Sequence, residues 1–252
     1  MRIVGLIFLG LLAFVVTAVW KFPAAGVLPH VNIQPVKLSG VSGSIWNGGA
    51  QTVEAPELKQ PVTNVQWKFA PATLLSASAG ANVNFEVLGG KGEGLVSRNR
   101  SGNMFVNDGT FRVPASRLEQ FLPLPVAEFG GILLADIKDL ELENNLLKRT
   151  TGTLTWNSAE VKNTVLLGQV VFDIVPQGED QHIGTLSNTD GQLELRGEVL
   201  LDLAGNYKAD IQIKPTSETP PQVNGLLNLV GRPASDGSYR IRNNGNIQNL
   251  QF

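Results

Sequence analysis

The chain has 252 residues and carries 20 Lys plus Arg against 22 Asp plus Glu, so its formal net charge is −2. This balance gives no electrostatic case for nucleic-acid binding, and the absence of cysteine excludes disulfides and thiolate metal sites. The 27 glycines and 14 prolines are spread along the chain and argue against a helical bundle.

The first long segment, residues 3–20, is uncharged and is flanked by Arg2 and Lys21. As a helix it would be roughly 27 Å long, close to the ~30 Å hydrocarbon core of a bilayer. It predicts a transmembrane anchor over residues 1–22, with a cleaved signal sequence as the alternative, because residues 16–18 form a small-residue cleavage pattern. The short positive amino terminus predicts a single span with the bulk of the chain outside the cytoplasm.

A stalk is expected over residues 23–37, where Pro23, Pro29 and Pro35 discourage helix. The glycine-rich stretch 38–50 then surrounds Trp46 and contains Asn47 and Gly48, a dipeptide typical of tight hairpin turns. We expect two short strands meeting at that turn, with Trp46 packed into a core. A ligand platform at Trp46 is the alternative.

Alternation of apolar and polar residues predicts an all-β, mainly antiparallel domain with one solvated sheet face over residues 38–252. The predicted strands are 65–69, 82–87, 103–106, 110–113, 131–143, 168–175, 192–199, 207–214, 238–242 and 246–252. Turns are predicted at 89–94, at 107–109, over 177–190 and at 244–245. Short helices that begin at proline are predicted over 71–76, 114–122 and 220–230.

A second tryptophan box lies at residues 152–157, where Trp156 and Asn157 follow glycine, small polar and aliphatic residues as Trp46 and Asn47 do. The match favours a weak internal duplication into two β units, 38–126 and 131–252, each opening on a Trp-Asn hairpin. Chance similarity is the alternative. Trp46, Asn47, Gly48, Trp156 and Asn157 are therefore the candidate structural or interaction residues.

No catalytic or metal centre is predicted, and no cofactor is expected. The two histidines, His30 and His182, lie in different segments, and both are expected at the surface. Strand alternation explains one acid-rich run as a solvated face better than as a ligand set. Its members are Asp136, Asp139, Glu141 and Glu143.

The anchor, the exported β domain and the two boxes together resemble the N component family of the bacterial type II (general) secretion pathway. The segment 221–231 followed by residues 236–239 and Gly245 is similar to that family too. The resemblance spans nearly the whole chain and implies no catalytic residues. It implies an inner-membrane accessory protein whose partners are other secretion subunits, in the inner membrane or in the outer-membrane secretin complex.

A different class of function remains open at this stage, because glycine-rich turns permit strong sheet curvature. A curved periplasmic sheet with an open apolar groove would handle lipid or glycolipid. The two hypotheses differ in whether the apolar face is a filled core or an open surface.

Overall fold

The structure is a computed structural model that describes residues 36–54, 60–121, 128–144, 146–230 and 232–247. The predicted anchor, nearly all of the predicted stalk, His30 and residues 248–252 lie outside these ranges. Among the described residues, no helix combines the length and the apolar character needed to cross a membrane.

The described residues form one antiparallel sheet of fourteen strands with three short helices. The strands are β1 Lys37–Ser39, β2 Ser42–Gly43, β3 Asn47–Glu54, β4 Val62–Phe69, β5 Ser78–Val87, β6 Gly90–Asn99, β7 Met104–Pro114, β8 Phe129–Glu143, β9 Leu146–Val161, β10 Val165–Gln177, β11 Gln181–Thr189, β12 Leu193–Asp202, β13 Asn206–Pro215 and β14 Tyr239–Asn246. The helices are a first 3₁₀ helix Pro71–Ser76, a second 3₁₀ helix Ala115–Phe121 and α1 Pro221–Val230. The all-β prediction and the three proline-led helices are confirmed.

Strand order follows the chain. From β3 to β14 each strand pairs with the next one, β1 pairs with β3, and β2 lies off this path beside β3. The register of β7 with β8 runs from Met104 opposite Leu142 to Pro114 opposite Ile132. Residues of the two predicted β units, 38–126 and 131–252, therefore belong to one continuous sheet, and the division into units stays a prediction.

Three predicted turns are wrong because turn-forming residues also serve inside strands. Asp108, with φ of 49°, forms a bulge within β7. The turn predicted at 89–94 consists of residues 88 and 89 instead, and β6 already begins at Gly90. Gly245 lies inside β14 opposite Tyr207, whose hydroxyl would be 2.9 Å from a Cβ at that position. The glycine there allows a close approach between strands rather than a turn.

The clearest cluster of buried apolar side chains lies where α1 packs beside the ends of β10, β12 and β14. Val223 and Leu227 of α1 contact a group made up of Val165, Leu193 and Tyr239, all of them buried. The Tyr239 hydroxyl donates a hydrogen bond to Asn228 Oδ1 at 2.9 Å, which satisfies its polar end. The cluster fixes α1 on the sheet.

His182 corrects the expectation of a surface histidine in a polar turn over 177–190. The turn is only 178–180, residues 181–189 form β11, and His182 is 1% exposed. His182 lies on β11 opposite Pro176 of β10. The backbone N–H of Thr150 on β9 donates to His182 Nε2 at 3.1 Å. Burial, and then the charge of Arg149, lowers the pKa of His182.

We predict that His182 makes stability depend on pH. Its folded-state pKa lies below the unfolded value of 6.5, so the unfolded chain binds the proton first and the free energy of unfolding falls as pH drops below about 6.5. His182→Gln keeps an acceptor for Thr150 and cannot titrate. Urea unfolding of both proteins is measured between neutral and mildly acidic pH. The loss of unfolding free energy that comes from His182 should appear only in the wild type. Parallel pH profiles would contradict the assignment.

We also predict that Leu227→Ala lowers the free energy of unfolding by about 2–3 kcal/mol, because it leaves a cavity between α1 and the sheet. Leu226 is 52% exposed on the same helix, so Leu226→Ala is the matched control and should change the value by less than about 1 kcal/mol. Urea titrations followed by tryptophan fluorescence would measure both. Equal effects would show that α1 is not fixed through this cluster.

Candidate interaction surface

The first tryptophan box forms a turn one step earlier than predicted. Ser44 N–H donates to Asn47 O at 2.9 Å, so the turn spans 44–47 and connects β2 to β3. Trp46 sits in this turn with its ring 4.9 Å from Phe69 in an edge-to-face contact at 73°. Phe69 N–H also donates to Trp46 O at 2.7 Å. Trp46 thus ties the turn to the end of β4, and its ring is half-buried.

Asn47 and Gly48 begin β3 and lie opposite Lys68 and Trp67 on β4. A Cβ on Gly48 would lie 2.7 Å from the Trp67 ring and 2.6 Å from Ser44 O. The Trp67 indole N–H donates to that same Ser44 oxygen at 3.2 Å. Trp67 is therefore part of the box, and its placement in a strand opposite the glycine was the available sequence signal.

The second box lies inside the long strand β9, so the expectation of a hairpin at Trp156 and Asn157 is wrong. A bulge follows them, because Ser158 has φ of 49°. Trp156 contacts Phe129 edge-to-face at 5.7 Å and 63°, and its indole N–H donates to Gly130 O at 2.8 Å. Asn157 Oδ1 accepts a hydrogen bond from Gln169 Nε2 at 2.8 Å.

The structure does not bring the two boxes together, since β3 and β9 are separated by five strands in the sheet order. What they share is local: each tryptophan makes an edge-to-face contact with a phenylalanine of a neighbouring strand. Such pairs contribute about 0.5–1.5 kcal/mol beyond the area they bury. Each box therefore stabilises its own part of the sheet.

One face of the sheet carries an uninterrupted apolar row. Its members are direct register partners on successive strands from β5 to β14, namely Phe85, Gly92, Phe111, Ala135, Leu154, Phe172, Leu186, Gly197, Ile211 and Ile241. We call the face that holds this row the apolar face. The neighbouring row on the other face contains Lys91, Arg112 and Arg196, as expected for a sheet with one solvated face.

Two glycines shape the apolar face. A Cβ on Gly92 would clash with the Phe85 ring, and a Cβ on Gly184 would clash with the Phe172 ring. Because Gly92 leaves this space, Phe85 and Phe111 stack across it with centroids 6.0 Å apart at 16°. Aromatic rings therefore fill the gaps above the backbone.

Within the described residues, no second sheet packs over the apolar face. All the described strands belong to a single sheet. Leu154, at the middle of the row, is 42% exposed, and its partners Ala135 and Phe172 are half-buried. Leu154 therefore marks an exposed apolar stretch of this face, whereas Val113 and His182 of the same face are buried.

Three of the four carboxylates in the acid-rich run of β8 lie beside cations. Lys148 Nζ lies 3.6 Å from Glu141 and 3.4 Å from Glu143, and Arg149 Nε lies 4.0 Å from Asp139. Glu141 first, and then Glu143, raise the pKa of Lys148. No group of three or more metal-ligating side chains occurs among the described residues.

Comparison with known proteins identifies the family. Residues 34–242, which include both tryptophan boxes, match the family described as Type II secretion system (T2SS), protein N. The chain belongs to this family. A protein of Aeromonas hydrophila named Type II secretion system protein N is 26% identical over 237 residues, which cover 90% of this chain and 92% of that relative. No solved structure matches. Family membership makes the chain a component of the type II secretion system, and such a component contacts other subunits.

The packing of the apolar face gives a prediction. Gly184→Ala should lower the free energy of unfolding by about 1–3 kcal/mol, because the new methyl group displaces the Phe172 ring. Gly225→Ala is the control: nothing lies within 4 Å of a Cβ there, and alanine favours helix α1. Urea unfolding of the two variants compares them directly. A Gly184→Ala protein as stable as Gly225→Ala would show that Phe172 does not rest on this backbone.

Proposed function

We propose that this chain is a non-enzymatic inner-membrane component of the type II secretion system. Its N-terminal segment anchors it, and its periplasmic β domain supports export of folded proteins across the outer membrane through contacts with other subunits. Membership of the protein N family carries the proposal. The exposed middle of the apolar face, at Leu154, is the described surface best suited to such contacts.

The five candidate residues act in this proposal as supports of the sheet. Trp46, Asn47 and Gly48 hold the β2–β3 turn against β4, and Trp156 and Asn157 connect β9 to β8 and β10. The pairing of Asp139, Glu141 and Glu143 with cations supports a role without catalysis, because their charges already have partners. No cofactor is invoked.

The test compares the two faces of β9 in the full-length protein. Leu154→Arg places a charge on the apolar face, and Thr155→Arg places the same charge on the opposite face. We expect Leu154→Arg to reduce export of a type II substrate into the medium several-fold and to lower crosslinking to secretion subunits, with Thr155→Arg close to wild type. Equal protease resistance of the variants confirms folding. If deletion of the chain changes neither secretion nor complex assembly, the proposal fails.

A second candidate function is lipid or glycolipid handling, and the exposed apolar row favours it. An acyl chain makes no hydrogen bonds, and the row from Phe85 to Ile241 offers only apolar side chains and glycines. Gentle crosslinking and purification from detergent-solubilised membranes, with proteins and lipids both identified by mass spectrometry, separates the candidates. Secretion subunits without lipid support the first function. Recovery of lipid without secretion subunits supports the second function, provided that the Leu154→Arg variant no longer recovers the lipid.

A further inference from the structure

Two leucines on the first 3₁₀ helix project into solvent. Leu75 is 93% exposed, more than any other large apolar side chain among the described residues, and its neighbour Leu74 is 58% exposed. Scattered single apolar residues are ordinary on a protein surface, but an adjacent pair at the tip of a structured helix exposes a contiguous apolar group. We call this pair the leucine knob.

The helix holds the knob in place. Thr73 is buried, its hydroxyl donates to Ala70 O at 2.7 Å, and its methyl group would be 2.8 Å from a Cβ on Gly80. Ala70 N–H donates to Gly80 O at 2.9 Å. Ala77, in the left-handed region at φ of 54°, closes the helix by donating to Leu74 O at 3.1 Å. Thr73 faces the sheet, whereas Leu74 and Leu75 are exposed.

Exposed cations lie on the segments that adjoin the helix. Lys68 lies on β4 just before it, and Arg98 lies opposite Ala79 just after it, where Arg98 Nε donates a hydrogen bond to Gly102 O at 3.3 Å. Arg100 follows in the β6–β7 turn, and all three side chains are exposed. The adjoining described segments, 66–84 and 94–103, contain no Asp or Glu. An apolar tip with exposed cations on adjoining segments is complementary to an anionic lipid surface.

We propose that the leucine knob, Lys68 and Arg100 contact an anionic lipid bilayer, with the leucines in the interfacial hydrocarbon and the two cations at headgroup phosphates. A protein partner fits less well, since leucine is under-represented among interface hot spots and two side chains bury far less than a specific interface. A bilayer accepts a small convex apolar tip without a matching pocket. This inference rests on the proposed export of the chain and is independent of its protein contacts.

Chain length allows the contact. The helix and Lys37 lie at opposite ends of the strands, because β1 and β4 run parallel to each other on either side of β3. The fifteen residues between Lys21 and Lys37 reach up to about 50 Å when extended. The ten residues of β5 are roughly 33 Å long. The knob therefore reaches the bilayer that holds the proposed anchor.

The test uses the absence of cysteine, which makes a single label specific. Ala72→Cys lies on the exposed part of the same helix and keeps both leucines, and Asp180→Cys on the β10–β11 turn is the control at the same end of the sheet. The full-length protein, labelled with an environment-sensitive dye, is reconstituted in phosphatidylcholine vesicles with or without phosphatidylglycerol. We expect blue-shifted emission and quenching by spin-labelled lipid at Ala72→Cys only, stronger with phosphatidylglycerol.

Variants separate the two parts of the site. Leu74→Ser with Leu75→Ser should abolish the quenching and leave the melting temperature unchanged, because both side chains are exposed. Lys68→Gln with Arg100→Gln should remove only the gain from phosphatidylglycerol. Equal quenching at Asp180→Cys, or quenching that survives the serine double variant, overturns the proposal. The proposal is also overturned if lipid does not quench the label at Ala72→Cys while the same helix crosslinks to a protein in cells. Flotation with the vesicles checks anchor insertion separately, so failure of the anchor is distinguishable from failure of the knob.

Discussion

The structure depends on the backbone hydrogen-bond ladder that joins β3 to β14 into one sheet. With no second described sheet over the apolar face, this ladder and the side-chain pairs within each face carry most of the order. A slip of one residue between two strands would turn the apolar row to the solvated face. At the bulges of Asp108 and Ser158 the pairing shifts by one residue, between β6 and β7 and between β9 and its neighbours.

Much of this fold could be predicted from the sequence, because each face of the sheet has one environment. Strands with strict alternation, such as β13, were found for that reason, and proline at the start of a helix marked all three helices. β11 was missed because its apolar-face positions include His182, Gly184 and Asn188, which break the apolar pattern. Residues that favour positive φ, such as Asp108, predict a turn and a bulge equally well. Only the neighbouring strand decides between them.

The candidate sites show the same limit. The sequence predicted a hairpin at both boxes, but it could not tell a turn at Trp46 from a bulge after Trp156. The leucine knob gave no signal at all, because Thr73 rather than a leucine is the residue that faces the sheet. That choice follows from the small space above Gly80. The histidine expectation failed because β11 was not predicted, so His182 was placed in a turn rather than in a strand where its ring accepts from Thr150 N–H.

Pairing between successive strands also shapes how the molecule forms. Because each new strand needs only the one before it, the mean sequence separation of contacts is low for a β protein, which favours fast folding. A chain that emerges from the ribosome amino terminus first can add each hairpin to a template already in place. Until β14 is added, the growing edge exposes unpaired backbone groups to aggregation. The order of synthesis and the order of the sheet coincide, which keeps that exposed edge to one strand at a time.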